Sequence, residues 1–141
     1  MNNKIIQRLF QILILAIAII IGGQVNMAII KFGPKLIPYP NNIDPANFEL
    51  LKQTIPSFEP KHFLSPFLAH ALGTLVAVLI VAFGMKEINA RKYYAYFAAA
   101  MFFVGGAMAV KMLPAPMWFN ITDLTLAYFP MAFLVLKLKK D

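Results

Sequence analysis

Four long apolar runs limit what this chain can fold into: about Leu9 to Ile30, Phe63 to Gly84, Tyr93 to Leu113, and Met117 to Leu136. A helix needs about 20 predominantly apolar residues to cross the hydrocarbon of a bilayer, and each run has roughly that length. Composition agrees with this reading. Hydrophobic residues make up 60% of the 141 and charged residues 13%, whereas a soluble domain carries about a quarter charged residues. The expected fold class is an all-α integral membrane protein: a four-transmembrane-helix antiparallel bundle forming one membrane domain over residues 1–141. Lys4 and Arg8 precede the first run as they would in a cleaved leader. That run continues through "GGQVNMAII" with no small-x-small cleavage site, so it reads as a retained helix.

The net charge is +7, but the basic residues gather at the ends of the runs. They read as membrane-flanking charges facing anionic lipid, and nucleic acid is not an expected partner. Eight of the thirteen basic residues fall on one side: Lys4, Arg8, Lys86, Arg91, Lys92, Lys137, Lys139 and Lys140. The other side holds Lys31, Lys35, Lys52, Lys61 and Lys111. The positive-inside rule places both termini in the cytoplasm. Ile, Lys and Asn usage suits an AT-rich bacterial genome, so the expected location is a bacterial cytoplasmic (inner) membrane. There is no cysteine, which removes disulfides, thiolate metal sites and thiol catalysis.

The loop from Lys31 to His62 is the one sizeable extramembrane piece. It opens on "KFGPKLIPYPNN" and continues into "DPANFELLKQTIP". Asp44 is a good N-cap, Pro45 suits a first helical position, and Pro56 stops continuation. A short amphipathic helix over 45–55 is expected, with Phe48, Leu51 and Ile55 on one face. It can lie on the outer membrane face, pack on the bundle, or act as a lid. His62 reads as interfacial. "LPAPMW" is a tight, proline-stiffened reversal, which makes the third and fourth helices antiparallel neighbours. Small residues at Gly22, Gly23, Ala69, Gly73, Ala77, Gly105 and Gly106 suit close helix packing in lipid.

Polar residues inside the runs are few and sit at one level. Asp123 is five residues past Trp118, so about 8 Å below the outer interface. His70 lies at a similar depth in the second run, roughly 10 Å. Asn26 and Lys111 approach the same level from the other two helices. An ionisable group in a membrane costs roughly 3 kcal/mol on insertion scales and faces the bundle interior or a wet cavity. Asp123 and His70 are therefore expected to meet inside the bundle, with Asn26 or Lys111 completing a network. Pro130 is expected to kink the fourth helix just below. Tyr128 reads as packed in apolar surroundings.

The candidate ligand or proton-relay residues are Asp123, His70, Asn26, Asn120, Thr74 and Lys111. No metal site or cofactor is expected. Two histidines, one at the interface, give too few ligands for bis-histidine haem, zinc or di-iron. No glycine-rich phosphate loop or nucleophile turn occurs. The expected function is a non-enzymatic accessory or binding subunit, partnered by the lipid bilayer and a larger membrane protein or a second copy. The alternative is a small proton-coupled transporter or lipid-active membrane enzyme using Asp123 and His70.

Overall fold

The computed structural model describes residues 3–139. Lys140, counted above among the flanking charges, lies outside the described residues. Six α-helices follow one another: α1 (Asn3–Phe32), α2 (Phe48–Thr54), α3 (Leu64–Gly84), α4 (Ile88–Met112), α5 (Met117–Leu126) and α6 (Phe129–Leu138). Among the described residues there is no strand. Four helical stretches are long and apolar enough to cross a membrane: α1, α3, α4, and α5 with α6 taken together. The chain is a four-helix bundle with the make-up of a multi-pass membrane protein.

A long helix forms wherever the sequence is apolar and its ends are capped, because in lipid the backbone must pair its own donors and acceptors. Glu87 caps α4, its carboxylate accepting from the backbone N–H groups of Asn89 and Ala90. The polar side chains on α5 do the same locally. Thr122 and Thr125 donate to the carbonyls of Trp118 and Ile121 one turn back, so neither hydroxyl is left unpaired in apolar surroundings.

α3 is the central helix. It packs against α1, α4 and α6, and α4 packs against α6, while α1 touches α4 only lightly. The core divides along α3 into three zones. Ile55, Phe63 and Phe119 form the zone at the loop end, Ala71, Ala127 and Tyr128 the middle, and Val78, Val81, Ala82 and Met85 the far end. The outer surface is apolar, as a lipid-facing surface must be: Leu9, Phe10, Ile20, Met27 and Met108 are among many large apolar side chains left exposed. Arg91 departs from the flanking charges and is buried.

Only one glycine of each adjacent pair serves packing. A methyl group on Gly22 would lie 2.6 Å from the Gly73 carbonyl oxygen, and one on Gly73 would lie 2.9 Å from the Gly22 oxygen. The α1 and α3 backbones approach too closely there for any side chain. Gly106 likewise leaves space that the Tyr128 hydroxyl fills, whereas Gly23 and Gly105 face nothing within 4 Å.

Two local expectations change. The loop helix begins at Phe48, with Asn47 as its N-cap accepting from the Leu50 N–H. Asp44 instead closes the preceding turn, accepting from Ala46 N–H. This helix packs on the bundle end, with Leu51 and Ile55 against Phe63 and Phe119. The fourth span is broken outright instead of kinked. Tyr128, at φ −121° and ψ −84°, leaves helical geometry between α5 and α6. Pro130 supplies the reason: it has no N–H for the Leu126 carbonyl, and its ring crowds that turn.

Gly73→Val is expected to cost about 2 kcal/mol through overpacking, whereas Gly23→Ala is expected to be neutral or slightly stabilising, by up to about 1 kcal/mol. Thermal midpoints of the detergent-solubilised chain would check both, and equal tolerance of the two would contradict the α1–α3 contact.

Candidate functional site

Asp123 is the most deeply buried charged group described, with 1% of its surface exposed. It sits on α5 facing α3, where His70 presents its ring. The Nδ1 atom of His70 lies 2.9 Å from both carboxylate oxygens. With the carboxylate as acceptor, Nδ1 carries the proton and Nε2 is the nitrogen left over. The Tyr128 hydroxyl donates to Asp123 Oδ2 at 3.0 Å, and its ring lies 5.7 Å from that of His70. Asp123, His70 and Tyr128 therefore form one hydrogen-bonded cluster joining α3 to both halves of the fourth span.

Tyr128 belongs to the cluster because the helix breaks. In a continuous helix, side chains five residues apart point roughly 140° away from each other. The interruption at Tyr128 turns the phenol back so that its hydroxyl reaches the preceding turn. The apolar packing expected for Tyr128 is thus half right: it is fully buried, but its hydroxyl is engaged. The signal for it in the sequence is Pro130, two residues on.

The other candidates divide. Thr74, also fully buried, donates to the carbonyl of His70 and supports that helical turn without reaching the carboxylate. Lys111 is exposed and stands outside the cluster. Asn26 lies against Gly73 through its Cβ and makes no side-chain hydrogen bond among the described residues. Neither completes the network as expected; Tyr128 takes that place. Among the described residues, no three histidine or acidic side chains come together as a metal site.

Asn120 and the loop define a cavity beside this cluster. About 110 Å³ of space open to a water-sized molecule lies between the loop and helices α3, α4 and α5. Tyr39, Leu51 and Phe58 line it from the loop, and His70, Asn120 and Asp123 line it from the bundle. Nearly all of the remaining wall is apolar. The Asn120 carboxamide donates from Nδ2 to the Ala115 carbonyl at 3.2 Å, while its Oδ1 is buried without a hydrogen-bond partner.

The loop is held over this cavity by aromatic contacts. Tyr39 and Phe58 have ring centroids 4.7 Å apart, Phe58 and Phe63 5.7 Å, and Phe63 and Phe119 4.7 Å. Such pairs contribute about 0.5–1.5 kcal/mol each beyond area burial. His62, at the start of the second span, is buried. Its Nδ1 accepts from the Glu59 N–H at 2.9 Å in a capping box at the start of the turn leading into α3. The Glu-Pro-Lys-His spacing carried that signal. Nearby, Lys61 holds the Glu59 carboxyl below its ordinary range, by hydrogen bond and by charge. Burial pushes the Tyr39 phenol above its ordinary value, with the Ser65 hydroxyl opposing.

No family model, curated protein or solved structure compared with the chain matches it.

Removing the Tyr128 hydroxyl by Tyr128→Phe should cost about 1 kcal/mol. Asp123→Leu should cost more, about 2–3 kcal/mol, because the buried Tyr128 hydroxyl and the partly buried His70 ring both lose their acceptor. Unfolding of the reconstituted chain would show the order, and equal costs would mean that His70 is not held by the carboxylate. For the loop, the Tyr39 phenol titrates above 10.0 in the folded chain. Stability linked to it is therefore complete below that pH and declines above it, as the unfolded chain ionises first. Tyr39→Phe should remove that part of the alkaline loss of thermal midpoint.

Proposed function

We propose that this chain is a small non-enzymatic binding subunit of a bacterial inner membrane, with the loop outside and both termini in the cytoplasm. The orientation rests on the excess of lysine and arginine at the ends opposite the loop. The reading is carried by Asn120 Oδ1. A buried carbonyl oxygen without a donor costs about 1–3 kcal/mol, and this one borders a mostly apolar cavity closed by the loop. A small, mostly apolar molecule carrying one hydrogen-bond donor would fit both properties. The cluster beneath supports binding in preference to turnover. Asp123 already accepts from His70 and Tyr128, so its oxygens are committed to holding helices together. In this reading α2 and the turns around it form the lid, and a larger membrane protein or a second copy of the chain is the partner.

The second reading is a proton-coupled transporter or a lipid-active enzyme. One observation favours it: His70, Asp123 and Tyr128 form a continuous chain of ionisable groups reaching the cavity, the usual material of a proton relay.

Native mass spectrometry of the chain released from its own membrane in mild detergent separates these readings. A stoichiometric larger protein, or a retained small molecule lost in Asn120→Leu with the bundle still folded, supports the binding subunit. A chain that carries neither, yet moves protons across reconstituted vesicles until Asp123→Asn stops it, supports the second reading.

A further inference from the structure

A second cavity lies on the other side of His70. It is a cleft of about 330 Å³ between α1 and α4, lined by Gly23, Asn26, His70, Phe102 and Gly105 among others. It is distinct from the loop-covered cavity, sharing with it only His70 and Gly106. Its origin is the light contact between α1 and α4, and Met101, one of its lining side chains, is exposed on the apolar outer surface. The cleft therefore opens sideways, toward lipid.

Two features of the wall call for an occupant. A glycine inside a helix costs about 1 kcal/mol relative to alanine, and in membrane helices close packing usually offsets that cost. Gly22, Gly73 and Gly106 have that explanation. Gly23 on the α1 wall and Gly105 on the α4 wall do not, since a methyl group on either would meet nothing within 4 Å. Both line this cleft, which leaves a slot bounded by bare backbone and the Phe102 ring. The second feature is polar. Asn26 makes no side-chain hydrogen bond among the described residues, and His70 has committed Nδ1 to Asp123; in the neutral imidazole that donates from Nδ1, Nε2 is an acceptor. A flat head that fills the slot must accept from the Asn26 amide and donate to Nε2. A ring hydroxyl does both.

We propose that the α1–α4 cleft binds a lipid-soluble molecule with a hydroxylated aromatic ring as its head, the chemistry of a quinol. The ring lies between Gly23 and Gly105 against Phe102, its hydroxyl bridges Asn26 and His70, and its apolar tail leaves through the open side into the bilayer. The site does not depend on the loop-covered cavity or its ligand.

The test is equilibrium binding of decylubiquinol to the full chain in nanodiscs under reducing conditions. Saturable binding of one molecule per chain is expected. Gly105→Leu and Gly23→Leu place a side chain in the slot from positions where an added Cβ meets no protein atom within 4 Å, and each should weaken binding by at least about tenfold, or 1.4 kcal/mol, with a thermal midpoint no lower than that of the unsubstituted chain. Asn26→Ala keeps the Cβ that packs on Gly73 and should weaken binding about fivefold. Asn120→Leu, in the other cavity, should leave it unchanged. The proposal is overturned by absence of saturable binding, or by full affinity in both glycine variants. It is also overturned if those variants convert a dimer to a monomer, which would make the slot a helix interface, or release a tightly bound phospholipid instead.

Discussion

A carboxylate held among apolar helices must be met by donors, and much of this bundle is arranged around that requirement. Asp123 is reached from one side by His70 on the central helix and from the other by Tyr128 on the far half of its own span. Burial of this kind is poor evidence of stability gained over an apolar core, because desolvation offsets most of the attraction. Its effect is on specificity. Only one rotation of α5 brings the carboxylate to His70, and only a break after α5 brings Tyr128 back to it. The hydroxyl in turn occupies the space left by the missing side chain of Gly106 on α4, so three spans are registered by one polar group.

The same geometry gives His70 a position between two cavities of different character. On one side lies the apolar chamber under the aromatic loop, on the other a cleft facing lipid. α1 is held almost entirely by one neighbour, α3. It meets α3 through the Gly22–Gly73 approach and contacts α4 lightly, and a helix held along one edge leaves an open flank. Close packing in one place and a cleft in another thus follow from the same pair of adjacent glycines, Gly22 turned inward and Gly23 turned outward.

Much of the architecture is legible in the sequence, because it rests on local quantities. Apolar run length gives the four spans, and counting residues from Trp118 and from the start of the second run puts Asp123 and His70 at one depth. What could not be read depends on choices among equals or on tertiary geometry. Asp44 and Asn47 are both good N-caps, and only the packing of Leu51 and Ile55 on Phe63 and Phe119 selects the second. Lys111 stands one residue from the end of α4, where a lysine can extend toward solvent, and the deeper Tyr128 phenol is turned inward by a backbone break that Pro130 only hinted at. The cavity edge at Asn120 and the difference between Gly105 and Gly106 depend on which helix face meets which neighbour, and runs apolar on every side do not specify that.

The break between α5 and α6 also changes which face of the fourth span is buried. Phe119 and Asp123 are the buried positions of α5, and Ala132 and Val135 those of α6. At about 100° per residue, an unbroken helix would set these two pairs roughly half a turn apart. One pair would then point into lipid whenever the other faced the core. Interrupting the ladder at Tyr128 resets the phase, so the two half-spans lie end to end and still present their buried faces to the same central helix. The fourth span is therefore two short amphipathic pieces with independent azimuths, and this is why its apolar pattern has no single stripe.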